Sequence, residues 1–464
     1  MKRIKYSLGT MVVSALLLSG CSDSFFDINK DPNNPSSATP ALVLPSAVAG
    51  SAYVMGGYYH AVGSFWTQQY AQAPAASQWT EWESYNLTEE AFDTQYRILY
   101  AGALYDYEYV RNKAAASNNW SFYTISTLMQ AYTFQVLADL YDQIPFTEAL
   151  QGDKVLQPKY STGAAIYDSL LVRIEDAMSK DFTVKTSEKP GSSDVVFAGD
   201  MDYWQKFANT LKLKMYLRYV NVDANKYKDK IVALLAEDNF LDKDAAFSSY
   251  KAEETGYNPF YNTFLNRLKG NVVANSTLVN YLTNNNDPRL ESFFIGSKNA
   301  SSFNGVFSGT SKSIQDSTSS DFATPNITGT NSVYFFTVEE TEFLIAEAQA
   351  RYGTSAAAEA AYISGIEASF ASLDLDAPAA SMYPYNGIKS IMEQKWIAAT
   401  NKRAIEAFFD YNRTGYPDFF TTSPISVLNG SDRPKRFLFP QSERKTNANT
   451  PAKVVLNVKV WWGK

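Results

Sequence analysis

From Ser121 to Tyr141 apolar side chains recur as a helix requires. Ile125, Leu128, Met129, Tyr132, Val136 and Leu140 fall on one stripe, and Pro145 ends the pattern. The spacing returns at Ile166, Leu170, Ile174 and Ala177, then at Trp204, Phe207, Leu211 and Met215. Thr337 and Glu340 form a capping box ahead of Phe343, Leu344, Ala348 and Tyr352. Two further stripes follow, Ile388, Ile391, Met392 and Ala399, then Ile405, Phe408 and Phe409. A helix with one apolar stripe must bury it against another element, so the chain is expected to be mostly α, with helices packed on helices and little β. Val454, Leu456, Val458, Val460 and Trp462 alternate with other residues, which predicts a short strand near the end.

Two stretches depart from the helical pattern. Gly296 to Ser332 is dominated by Ser, Thr, Asn and Gly and reads as a long surface excursion. At the start, Lys2, Arg3 and Lys5 precede an apolar run from Leu8 to Leu18, too short for a permanent membrane span, and then Ser19-Gly20-Cys21. This is the pattern of a lipoprotein signal: residues 1–20 are removed and Cys21, the sole cysteine, carries lipid. Pro32, Pro35, Pro40 and Pro45 resist regular structure, so 21–45 reads as a tether and 46–464 as one α-helical domain. Removing the signal takes three positive charges and no negative ones, which moves the net charge from −7 to −10. Such an acidic chain lacks the basic footprint that nucleic acid needs.

The residue inventory also limits the chemistry. His60 is the only histidine, so a Ser/His/Asp or Cys/His site would have to be built on it, and a zinc site with several His or Cys ligands is excluded. Within Tyr58-Tyr59-His60 it reads as a packing or hydrogen-bonding residue. Glu81/Glu83 and Glu89/Glu90 are close in sequence and could serve glycoside hydrolysis, but acidic pairs are common on solvated faces of an acidic protein. Asp139, Asp142 and Gln143, ahead of Pro145, read as a helix end and turn, with a bound cation as the alternative. No cofactor is implied, and binding is favoured over catalysis.

The chain carries 31 Tyr, 29 Phe and 8 Trp, and three of those Trp fall between Trp66 and Trp82. Ser77 to Asn86 lacks helical periodicity and reads as a loop ahead of a helix beginning near Thr88. Trp66, Trp79, Trp82 and Tyr85, with Gln78 and Asn86 beside them, would give flat rings flanked by donors and acceptors, suited to sugars or peptides. Burial of Trp79 and Trp82 against the helices is the competing reading.

Several motifs together resemble the SusD/RagB family of outer-membrane nutrient-binding lipoproteins, and within it the second SusD-like subfamily. They are Ile28-Asn29-Lys30-Asp31-Pro32-Asn33, the run from Tyr203 to Lys214, Asp287-Pro288-Arg289-Leu290, Gln394-Lys395-Trp396-Ile397-Ala398, Glu406-Ala407-Phe408, Arg413-Thr414-Gly415-Tyr416-Pro417, Phe439-Pro440-Gln441-Ser442-Glu443 and Trp461-Trp462. Asn412 stands where a second Arg often precedes the Arg-Thr-Gly turn, and Phe408 where Trp is common. The resemblance implies tetratricopeptide-type helix pairs beneath an irregular, loop-rich ligand-binding part that draws on the N-terminal region. It also implies a TonB-dependent barrel of the SusC/RagA type as partner, with this protein as its hinged lid, anchored by lipid in the outer membrane and facing outward. The ligand would be an oligosaccharide, with an oligopeptide as the alternative. A surface glycosidase and a structural or adhesive surface lipoprotein are the readings from other classes.

Overall fold

The computed structural model describes residues 38–299, 302–314 and 317–464. The signal segment, Cys21 and most of the expected tether lie outside the described residues. Its last part does not: a helix starts at Pro40 and runs to Val54, so six residues of the stretch assigned to the tether are helical. Pro40 sits in the first turn, where its missing N–H costs nothing, and Pro45 is carried inside the helix because Leu44, Ala47 and Val48 are buried against the core.

The scaffold is made of helix pairs joined by short turns. Tyr105–Ala116 packs on Trp120–Tyr141, which packs in turn on Gly163–Met178, and Val338–Tyr352 packs on Ser355–Ala371. Trp120–Tyr141 exceeds the single stripe read from sequence, because every residue from Thr124 to Tyr141 is buried. Its hydroxyls tolerate this by donating to carbonyls: Ser126 to Phe122 O at 2.6 Å, Thr127 to Tyr123 O at 2.7 Å and Thr133 to Met129 O at 2.9 Å. The other expected helices occur as Met201–Arg218, Gly387–Ala398 and Ala404–Thr414. Thr337 caps Val338–Tyr352 by accepting from Glu340 N–H at 3.2 Å, but Glu340 turns its carboxylate to Arg403 at 2.9 Å, so only half of the capping box forms.

Buried charge locks these helices together. Lys214 meets Glu406 at 2.6 Å, Arg218 meets Asp139 at 3.1 Å, Lys395 meets Asp410 at 2.8 Å, and Arg413 holds Glu347 at 2.6 Å through its second nitrogen. Arg289 is fully buried and paired bidentately with Asp287, with Gln394 and Ser369 completing its shell. Many of the charged residues in the quoted motifs are therefore structural, each satisfied by a partner on another segment. Asp139 is spent in the same way, accepting from Tyr167 and Trp462 as well as Arg218. Asp142 ends its helix at φ 65° and accepts from Trp461 N–H at 2.7 Å.

The β structure among the described residues is four two-stranded antiparallel pairs of two to four residues per strand, among them Tyr70–Gln72 with Val272–Ala274 and Ala245–Phe247 with Val333–Phe336. The predicted C-terminal strand is absent. Leu456, Val460 and Trp462 are buried and Val455 and Val458 are exposed, but the segment closes on itself in turns, with Val458 N–H donating to Val455 O and Gly463 N–H to Val460 O, while Leu456 O accepts from the N–H of Lys435 and Arg436. Gly63 admits one close approach, since a Cβ there would lie 2.5 Å from Ile405 N where His60–Trp66 crosses the start of Ala404–Thr414.

Candidate functional site

The stretch expected to be a loop is built around a helical turn. Thr80–Glu83 is helical, and the next helix begins at Asp93, not near Thr88. Gln72, at the end of its strand, fixes the turn: its carbonyl accepts from Trp79 N–H at 2.7 Å and its amide donates to Thr80 and Ser311 hydroxyls. Glu83 ties the turn to the Gly296–Ser332 stretch, accepting from Gln72 N–H and Gly309 N–H, each at 2.9 Å. Burial pushes its carboxyl up to about 7 despite these two donors.

Because Trp79 and Trp82 are three residues apart across a helical turn, both rings face the same way, and that way is inward. Trp79 and Trp82 are each 6% exposed, Tyr85 4% and Trp66 2%. The two indoles lie 4.6 Å apart between ring centroids, Trp79 is 5.0 Å from Phe264, and Phe65 meets Trp82 edge-on at 5.5 Å. Trp66 Nε1–H donates to Trp82 O at 3.1 Å. These four rings are core and do not form the flat stacking surface expected from sequence. Of the six residues singled out there, Gln78 and Asn86 alone keep exposed side chains.

The buried cluster backs a wall that sequence reasoning missed. The π-helical segment Tyr261–Arg267 turns Phe264 onto Trp79 and presents Tyr261, Leu265 and Asn266 to a depression of about 400 Å³. Ile295, Phe322 and Ile327 form the facing wall, with Ile295 54% exposed. The Gly296–Ser332 stretch that supplies two of them is more ordered than a surface excursion: Thr324–Pro325 pairs with Phe294–Ile295, and Val306 and Ala323 are buried. Val306 packs with Ala71, Ala73, Ala76 and Val273. The signal that could have pointed here is the pair Tyr261 and Phe264 in one short segment, which the wider π-helical turn separates, Phe264 inward and Tyr261 toward the depression. Aromatic and aliphatic faces beside amides and hydroxyls match the alternating apolar and polar faces of a sugar chain.

Acid–base chemistry finds little support. His60 is buried, its ring held below Ala404 N–H at 3.3 Å and beside the Tyr70 hydroxyl at 3.4 Å, and burial depresses its pKa to about 3. Glu81 is exposed and Glu83 buried, as residues two apart on a helix must diverge, so they do not face one another across a cleft. Glu89 is engaged by Arg444 at 2.7 Å. Among the described residues no three His, Cys, Asp or Glu side chains gather as metal ligands.

Comparison with known proteins gives one family and one fold. A family model named SusD-like, described as starch-binding and associating with outer membrane, matches residues 32–440. A solved structure described as a chitin-binding protein superposes with TM-score 0.79 at 21% identity, covering 92% of this chain and 100% of its own. A SusD homologue from Bacteroides uniformis gives 0.75 at 20% identity, covering 91% and 99%. A chitin-binding SusD homologue from Flavobacterium johnsoniae gives 0.73 at 20% identity, covering 90% and 98%. A search of curated proteins finds no match.

Proposed function

The chain belongs to the SusD-like family, and from that premise we propose that it captures an oligosaccharide at the cell surface and passes it to a TonB-dependent transporter of the SusC/RagA type, over which it acts as a lid. The observation that carries the ligand class is the 400 Å³ depression between Tyr261 and Phe322, which combines aromatic rings with amide and hydroxyl groups and the ammonium groups of Lys269 and Lys298. The chitin-binding names of two structural neighbours support the same class. Trp79 and Trp82 act from behind, holding Phe264 and hence the helix that carries Tyr261. Anchoring through Cys21 keeps the lid beside its barrel, and the acidic Ser22-Asp23-Ser24 after it is compatible with outward display.

Two measurements test this. Extracted from outer membrane under mild detergent, the protein is expected to copurify with a large barrel, and a protein that leaves the membrane alone argues against the lid. Titrated with malto- and chito-oligosaccharides, it is expected to bind at least one series, with Tyr261→Ala weakening that binding about tenfold, the order of one aromatic contact. Binding of oligopeptides and of neither glycan series would overturn the ligand class.

A further inference from the structure

The Tyr261 depression carries a charge bias opposite to that of the chain. In a protein of net charge −7, Lys269 and Lys298 line it and no Asp or Glu does. Two other depressions have the reverse balance: Glu291 and Asp374 stand with Lys402 in one, Asp244 and Glu339 with Lys243 in the other. The positive excess is therefore local and does not follow from composition.

The two lysines come from the two walls and meet at one pair of serines. Lys269 follows the Tyr261–Arg267 segment, and Lys298 follows the strand Phe294–Ile295. Gly270, at φ 82°, lets the chain beside Lys269 come up against Ser319, since a Cβ there would lie 2.8 Å from Ser319 Oγ. On the other side, Lys298 N–H donates to Ser320 O at 3.1 Å. Ser319 and Ser320 are half-buried and line the depression themselves. Both lysine side chains are exposed, and neither enters an ion pair among the described residues. Of the acids on adjoining segments, Glu291 opens on another depression and Glu254 pairs with Arg267 at 3.7 Å. Asp321 accepts from Thr318 N–H and from the Asn299 amide, each at 2.7 Å. An ammonium is a point charge with three donors, and beside hydroxyls it suits a carboxylate or a sulfate ester, whose oxygens accept from both. A neutral ligand leaves the two like charges uncompensated, and a cationic one adds to their repulsion.

We propose that the saccharide held here bears an anionic substituent, a carboxylate or a sulfate ester, which Lys269 and Lys298 bracket against Ser319 and Ser320, an inference that rests on the glycan reading of the depression. The rings of Tyr261 and Phe322 select for a sugar, and the lysines select among sugars by charge.

Calorimetric titration of the purified full chain in detergent tests it with one backbone in three charge states: cationic glucosamine oligomers, their neutral N-acetylated forms, and the N-acetylated forms bearing an anionic 6-O-sulfate. Malto-oligosaccharides and their C6-oxidised, carboxylate-bearing counterparts give a second series. In a series that binds, the anionic form is expected to bind about tenfold more tightly than the neutral one at low salt, with the cationic form weakest. The gain should shrink in about 1 M salt, where the screening length is about 3 Å. Lys269→Gln combined with Lys298→Gln should bring the ratio of anionic to neutral affinity to about one, whereas Lys269→Arg with Lys298→Arg keeps both charges and should preserve it. Equal affinity for anionic and neutral forms, or an anionic gain that survives the double Gln variant, overturns the charge selection and leaves the glycan reading standing. Failure of every oligomer in both series to bind overturns the glycan reading and the charge selection with it.

Discussion

Replacing Trp79 by Ala is expected to damage the fold before it touches the ligand. The ring is 6% exposed and lies 4.6 Å from Trp82 and 5.0 Å from Phe264. A buried aromatic side chain covers about 150–250 Å², which at about 25 cal/mol per Å² corresponds to about 4–6 kcal/mol. Truncation series for buried Phe and Trp give about 3–5 kcal/mol, so the expected loss is about 4 kcal/mol, a large fraction of the stability of a folded domain. Trp79→Phe provides the control. It keeps an aromatic ring against Phe264 and removes an indole N–H that is buried without a partner, so its cost should stay below about 1.5 kcal/mol. The assay is urea unfolding followed by circular dichroism, alongside oligosaccharide titration of the fraction that remains folded. An Ala variant with the wild-type unfolding midpoint and lost glycan affinity would refute the reasoning, since only a ring on the surface could behave that way.

Two further outcomes concern buried carboxylates. Arg413 and Arg351 hold Glu347 down to about 2, against an ordinary 4.5, and burial alone would have raised it. A depressed carboxylate contributes stability that is full above about pH 4.5 and is lost as pH falls through about 2. Glu347→Gln should cost about 3–5 kcal/mol at neutral pH, read from urea midpoints, because it leaves the buried Arg413 guanidinium with Asp410 as its one carboxylate partner among the ion pairs described; a loss below about 1 kcal/mol would show that the pair is dispensable. Glu83 has the opposite sign. Its value is raised from 4.5 to about 7, so the stability favouring its protonated form is full below about pH 4.5 and lost as pH rises through about 7. The midpoint of the wild-type protein should therefore fall relative to Glu83→Gln between about pH 4.5 and pH 7, and a constant difference between the two across that range would contradict the assignment.

The helical scaffold was legible because period and caps are local: Ile125 to Leu140, Trp204 to Met215, and Thr337 with its capped N–H each declare a helix within a few turns. The family too was legible, since its motifs carry the residues of the buried ion pairs, among them Lys214, Arg289, Glu406 and Arg413. The site was not. Trp66, Trp79, Trp82 and Tyr85 have the composition of a binding surface, and composition does not say which way a ring points. One helical turn at Thr80–Glu83 sent Trp79 and Trp82 inward, and the wall they support came from Tyr261, Phe322 and Ile327, remote from them in sequence. The C-terminal alternation failed for a related reason: a strand needs a ladder of partners, and the segment makes turns instead, with Leu456 O alone taking up Lys435 and Arg436 N–H.

Sequence by itself determined the class of fold, the acidic character, the absence of any disulfide within the chain, and the family, because each depends on residue type and local spacing. Tertiary structure alone decided which aromatic residues are core and which are wall, and which residues from distant segments line one depression. Those outcomes depend on contacts between segments far apart in the chain, where burial is set by what packs opposite a side chain and not by its neighbours along the sequence.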